Sequence, residues 1–257
     1  MVNLQRFLFP RGWDVRLVRG AYAELLGTLL LSFIFNLTAV NSTNNALAAG
    51  SAYAVLVYAT QQTSGGHLWP SITFATALSG HFHLVTALIY IAAQVLGAVL
   101  GALLEVALVP GLRWGHHAGG VPVPGCFPPL PPTLNNYQIF GWTTLATFTL
   151  VYVLYAVAVA RPGHGSIGPL SLGLAIFALI SAGGSWLATA LNPALVLANL
   201  IVFQCGGKAW IYLLGHAVGA ALASVVSGSV FGWGGAYSDA DETTGTRSEA
   251  LLSQEPV

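Results

Sequence analysis

The sequence predicts an all-α membrane protein: six transmembrane helices plus two re-entrant half-helices, arranged as an inverted repeat. Three observations predict it. Charged residues make up 6% of the 257 positions and hydrophobic residues 55%, whereas a soluble domain carries about 25% charged residues. No Asp, Glu, Lys or Arg occurs from Leu25 to Leu104, from Trp114 to Ala160, or from Pro162 to Gly207, and about 20 apolar residues cross a bilayer as a helix. Each half also holds a short apolar stretch that opens on a proline, Pro70 and Pro193. Equivalent interrupted segments in two halves point to a binding or permeation site at the bilayer midplane.

In chain order, the apolar blocks divide at their Gly- and Pro-rich joins into spans at 21–40, 46–63, 84–108, 137–160, 168–185 and 209–231, with half-helices at 70–78 and 193–202. The basic segment 1–20 precedes the first repeat, 21–108. A Pro- and Gly-rich connection, 109–136, must lie outside the bilayer; the second repeat is 137–231 and a polar tail is 232–257. The tail collects most of the acids and no apolar face, the composition of disorder. The halves share Gly97-xxx-Gly101 and Gly215-xxx-Gly219, a spacing that serves close helix packing, and Gly27-Thr28 aligns with Ala146-Thr147. With three crossings per half, the second half inserts upside down and the half-helices enter from opposite faces.

Arg6, Arg11, Arg16 and Arg19 precede the first span, Arg161 and Arg247 return to the same side, and only Arg113 and Lys208 fall opposite. The positive-inside rule therefore puts both termini in the cytosol. The N-terminal run lacks a small-residue cleavage site and reads as a retained span. Cys126 and Cys205 both fall on the expected outer side, at a spacing that fits no metal motif; they are free thiols or a disulfide.

Proline at the first turn of a helix sacrifices no hydrogen bond, so Pro70 and Pro193 are natural starts for half-helices whose unsatisfied N–H groups and partial positive charge face the midplane. Irregular backbone at that depth must be buried in protein or line a wet cavity. The carbonyls of Gly65, Gly66, His67 and Leu68, and of Ala188, Thr189, Ala190 and Leu191, would then form a ladder of acceptors along a pore. Trp69, Pro70, Ser71, Asn192, Pro193 and Ala194 would form its centre, with Asn192 capping its helix and turning an amide N–H toward a passing molecule. Glu24 is expected to brace the first loop and to be the only acid deep in a span. His67 is expected to pack or bond beside that loop. His81 and His83 follow the first half-helix, where a pH gate is conceivable; His116 and His117 read as solvated.

Jointly, Ala23-Glu24-Leu25-Leu26-Gly27-Thr28, Ser64-Gly65-Gly66-His67-Leu68-x-Pro70, Ala93-Gln94-x-Leu96-Gly97, Asn192-Pro193-Ala194 and Trp210-x-Tyr212-x-x-Gly215 resemble the aquaporin (major intrinsic protein) superfamily over about residues 20–232. The resemblance implies a pore in each subunit, a homotetramer in membrane lipid, and passage of water or small neutral solutes such as glycerol with exclusion of protons. The residues themselves suggest no cofactor and no metal, and the charge pattern suggests no nucleic-acid partner. Three departures stand out. The first Asn-Pro-Ala is Trp69-Pro70-Ser71 here, which replaces an amide by an indole with a single N–H; Trp69 either narrows the waist or turns into the protein. Leu195 stands where the family's outer filter usually has Arg, and the other filter positions align with Ala49, Ile180 and Thr189. The acid that would mirror Glu24 is Thr143. These losses resemble the unorthodox members, including the super-aquaporins.

A passive channel for water or small neutral solutes fits these features. The rival is a non-conducting adhesion or scaffold protein in which Trp69 blocks the pore. An ion- or proton-coupled transporter needs intramembrane acid–base pairs, and no nucleophile–base pair, metal cluster or phosphate loop suggests an enzyme.

Overall fold

The computed structural model describes residues 15–40, 45–110, 134–160, 164–183, 190–204 and 208–233. Most of the long connection, Cys126, Cys205, Arg113, Arg161, His116, His117, Ala188, Thr189 and the tail lie outside them. Eight α-helices are described: α1 (Val15–Val40), α2 (Asn45–Ser64), α3 (Pro70–Leu78), α4 (Leu84–Leu108), α5 (Asn136–Leu154), α6 (Gly168–Gly183), α7 (Pro193–Phe203) and α8 (Ala209–Val225). One turn of π-helix extends α5 over Tyr155–Val159 and another extends α8 over Val226–Val230.

Length sorts these elements. At about 1.5 Å per residue, the 9 residues of α3 and the 11 of α7 reach only about halfway through a hydrocarbon core of roughly 30 Å. Five of the others are long and apolar enough to cross a membrane. The sixth, α2, has 20 residues; its Asn45, Ser51, Thr60, Gln61, Gln62 and Thr63 lower its hydropathy, but it lies packed between α1 and α6. α1 begins at Val15, earlier than the expected 21, so Arg16 and Arg19 occupy its first turns, where long cationic side chains reach a membrane interface. At the start of α5, the Asn135 side chain accepts from the Gln138 backbone N–H while the Gln138 side chain accepts from the Asn135 N–H, a reciprocal cap that satisfies two N–H donors.

The packing follows a twofold pattern in which α1 corresponds to α5, α2 to α6, α3 to α7 and α4 to α8. α1 lies on α4 as α5 lies on α8, α2 meets α6, and each half-helix packs on the last helix of the other half, α3 on α8 and α7 on α4. Glycines set the contact distances. A Cβ at Gly97 would sit 2.2 Å from the Leu25 carbonyl oxygen and one at Gly101 2.4 Å from that of Leu29; at Gly219 it would sit 2.4 Å from the Thr144 oxygen. Gly50 and Gly173 approach each other in the same way across the α2–α6 contact.

Candidate functional site: two loops that meet at the waist

The first loop, Gly65 to Trp69, is built around Glu24. Its buried carboxyl group accepts four bonds: at Oε1 from Ser64 Oγ (2.6 Å) and the His67 N–H (2.9 Å), and at Oε2 from the Leu68 N–H (2.6 Å) and Gln94 Nε2 (2.7 Å). Four donors match the four acceptor sites of a carboxylate, so two loop amides are fixed by α1 and α4 together. The loop turns through the left-handed region at Gly65, Gly66 and Leu68 (φ +90°, +64° and +51°). Such a φ is uncommon for a residue other than Gly. Leu68 is held there by its N–H on Glu24, by its carbonyl at Asn192 and by its side chain, which rests against Gly27. His67 Nδ1 lies 3.1 Å from Thr73 Oγ1, and its ring packs beside Phe82 and Tyr90.

The second loop is held by different chemistry. Thr143, in the position of Glu24, donates to the Ile139 carbonyl of its own helix (2.8 Å). The described part of the loop is instead gripped by His216 on α8, which is 2% exposed. Its Nε2 lies 2.7 Å from the Ala190 carbonyl oxygen and its Nδ1 2.7 Å from Thr147 Oγ1. A carbonyl only accepts, so Nε2 carries the proton and donates; the neutral ring then accepts at Nδ1 from Thr147. Sequence reasoning passed over His216 as part of a packing motif. An imidazole inside an otherwise apolar span was the signal.

The loops lock reciprocally. Asn192 Oδ1 accepts from the Ala194 N–H (2.9 Å), capping α7, and its Nδ2 donates to the Leu68 carbonyl (3.1 Å). In the opposite sense, Trp69 Nε1 donates to the Leu191 carbonyl (3.1 Å). The indole therefore neither hangs free in a bore nor turns out to lipid. Its ring stands edge-on to Tyr53 (centroids 5.0 Å apart) and Phe35 (6.0 Å), and its N–H reaches across to the other loop. Tyr53 in turn donates its O–H to the His67 carbonyl (3.1 Å). Pro70 and Pro193 occupy the first turns of α3 and α7. Ser71 is buried and its hydroxyl has no hydrogen-bond partner among the described residues. Gly65 is exposed and His67 half-buried, but at Leu68 the exposure falls to 0%, as it does at Trp69, Ala190, Leu191, Asn192, Ala194 and Leu195. Ala49, Ile180 and Leu195 all belong to the same buried apolar cluster as Trp69.

Glu24 is not the only deep acid. Glu105, near the end of α4, is also fully buried; its Oε1 accepts from Asn36 Nδ2, which is also within 3.0 Å of Asn199 Oδ1 on α7. Composition hid it because it stands at the edge of its apolar block. At the corresponding place of the other half, Tyr155 and Ser224 both donate to the Ala75 carbonyl on α3 (2.9 and 2.7 Å). Each half-helix is thus tied to two long helices by a small buried polar group. His81 lies beside the second of these, with Nδ1 2.8 Å from Ser79 Oγ, which in turn contacts Tyr155 Oη.

The model of one family, described as the major intrinsic protein, matches residues 13–227. The chain belongs to that family. Among curated major intrinsic proteins it is similar to Aquaporin TIP2-2 of Zea mays, 31% identical over 92% of this chain and 96% of that one. It is also similar to Aquaporin TIP1-2 of Musa acuminata, 32% identical over 83% and 87%, and to Aquaporin A of Dictyostelium discoideum, 30% identical over 84% and 80%. Among solved structures, the aquaglyceroporin from Plasmodium falciparum shares its fold, with a TM-score of 0.64 and 21% identity over 84% of this chain and 97% of that one. The membership makes this an integral membrane protein of the aquaporin fold and agrees with the arrangement of six long helices and two opposed half-helices.

Proposed function

We propose that this major intrinsic protein is a passive channel for water and small neutral solutes such as glycerol, with its path running between the two loops. The observation that carries this reading is the pair of opposed, proline-initiated half-helices whose loops meet at Trp69 and Asn192, in a chain of this family. The charge distribution supports passive transport. Among the described residues at the waist, Glu24 is the acid that touches the loops, and its oxygens are occupied by four donors, so this carboxylate has no open acceptor to offer a passing ion. Trp69, Pro70, Ser71, Asn192, Pro193 and Ala194 form the centre; Ala49, Ile180, Thr189 and Leu195 form the outer filter.

Leu195 in place of Arg removes a fixed charge and up to five donors from that filter, which favours solutes with an apolar stem over strict selection of water. A homotetramer with both termini in the cytosol is the assembly we assign, from the family habit and the clustering of Arg at the N-terminus. The test is shrinkage and re-swelling of proteoliposomes in a glycerol gradient. Glycerol entry well above that of protein-free vesicles is expected. Fast water flux with no solute flux refutes the filter assignment, and no flux of either kind returns the chain to the scaffold reading.

A further inference from the structure

Around the waist, four loop carbonyls in succession already have a side-chain donor. Tyr53 Oη donates to the His67 carbonyl (3.1 Å), Asn192 Nδ2 to Leu68 (3.1 Å), His216 Nε2 to Ala190 (2.7 Å) and Trp69 Nε1 to Leu191 (3.1 Å). Leu68, Ala190 and Leu191 are fully buried, as is Tyr53. A ladder of acceptors works only if a passing molecule reaches the oxygens; here the protein supplies the donors that water would supply. Two of them come from residues outside the loops, Tyr53 on α2 and His216 on α8.

Resting on the channel reading, we propose that Tyr53 and His216 are positioning residues that set the permeability of the pore by capping the His67 and Ala190 carbonyls, which makes the waist a dehydrating filter. A water that enters gives up hydrogen bonds and finds few acceptors in exchange, whereas an apolar stem such as glycerol's carbons has none to give up. Small neutral solutes that hold few waters of their own lose least. The geometry isolates the effect at Tyr53. The ring packs on Trp69 and fills the core, whereas the O–H alone reaches His67, so Tyr53→Phe frees one acceptor and keeps the packing. His216→Leu frees the Ala190 carbonyl by a separate route and leaves Thr147, on α5, without its imidazole partner.

The sign of the result separates capping from support. A residue that only holds the fold lowers flux when it is weakened; a residue that withholds an acceptor raises it. The experiment is stopped-flow shrinkage of proteoliposomes carrying parent, Tyr53→Phe or His216→Leu protein at matched incorporation, with proton leak followed in the same vesicles. Both variants are expected to pass water faster than the parent, by up to about tenfold each, the worth of one net hydrogen bond, in vesicles that stay tight to protons. Because the two substitutions lie on different helices, either one that melts like the parent decides the question. A well-folded variant that conducts at or below the parent rate overturns the capping role while a conducting parent leaves the channel reading intact. Vesicles that match protein-free controls for the parent and both variants overturn both.

Discussion

Asn192 holds two jobs with one side chain: its carbonyl oxygen caps α7 and its amide nitrogen holds the Leu68 carbonyl of the opposite loop. Asn192→Ala removes both. A lost cap costs about 1 kcal/mol and an unmade buried bond a further 1–3 kcal/mol or so, so the purified variant should melt well below the parent and its flux should change. Normal melting with parental flux would remove Asn192 from the site. Glu24 is more exacting still, because every donor around it needs an acceptor. In Glu24→Gln the new amide NH2 faces the Leu68 N–H and Gln94 Nε2, or the Ser64 and His67 donors. Bonds to a charged group are worth roughly 1.5–3 kcal/mol each; the loss of two on a loop that holds Leu68 at positive φ should cost on the order of 3 kcal/mol or more in a denaturant titration. A variant as stable as the parent would mean that the first loop holds its shape without this brace. The consequence of Trp69→Asn at this scale is a shorter side chain with an amide in place of the indole, which gives up the edge-on contacts with Tyr53 and Phe35.

Helix contacts turn on single missing methyl groups. A Cβ at Gly219 would lie 2.4 Å from the Thr144 carbonyl oxygen on α5, whereas one at Gly141, also on α5, meets nothing within 4 Å. The two sites make an internal control. Gly141→Ala should be neutral or gain up to about 1 kcal/mol from helix propensity; Gly219→Ala must push α8 off α5 and should lower both the yield of folded protein and its melting temperature. Equal melting of the two variants would contradict the packing described here. This spacing was legible in the sequence because Gly-xxx-Gly occurs at the same place in each half. So were the half-helices, because Pro70 and Pro193 announce their first turns. The polar ties at their far ends were not legible: Glu105, Asn36 and Asn199 come from three helices, and Tyr155, Ser224 and Ala75 from three others. His216 was hidden for a related reason. The eye looks for a second Glu to match Glu24, and the fold answers with a donor from a different helix aimed at a carbonyl.

On the scale of the molecule, two inverted halves exchange their half-helices, α3 onto α8 and α7 onto α4, so that neither half is complete alone and the loops can meet only at the centre. That architecture followed from composition, from the uncharged blocks and from the repeated motifs. The pose of Trp69 did not, since it depends on which carbonyl lies opposite and on the room left by Tyr53 and Phe35. Passive conduction through the meeting point of the loops is the central claim, and one measurement addresses it directly: the osmotic shrinkage rate of proteoliposomes carrying the unaltered protein over a series of protein-to-lipid ratios. The account predicts a rate that rises in proportion to the protein incorporated and exceeds that of protein-free vesicles throughout. A rate indistinguishable from protein-free vesicles at every ratio, with correctly folded protein in the membrane, would contradict it.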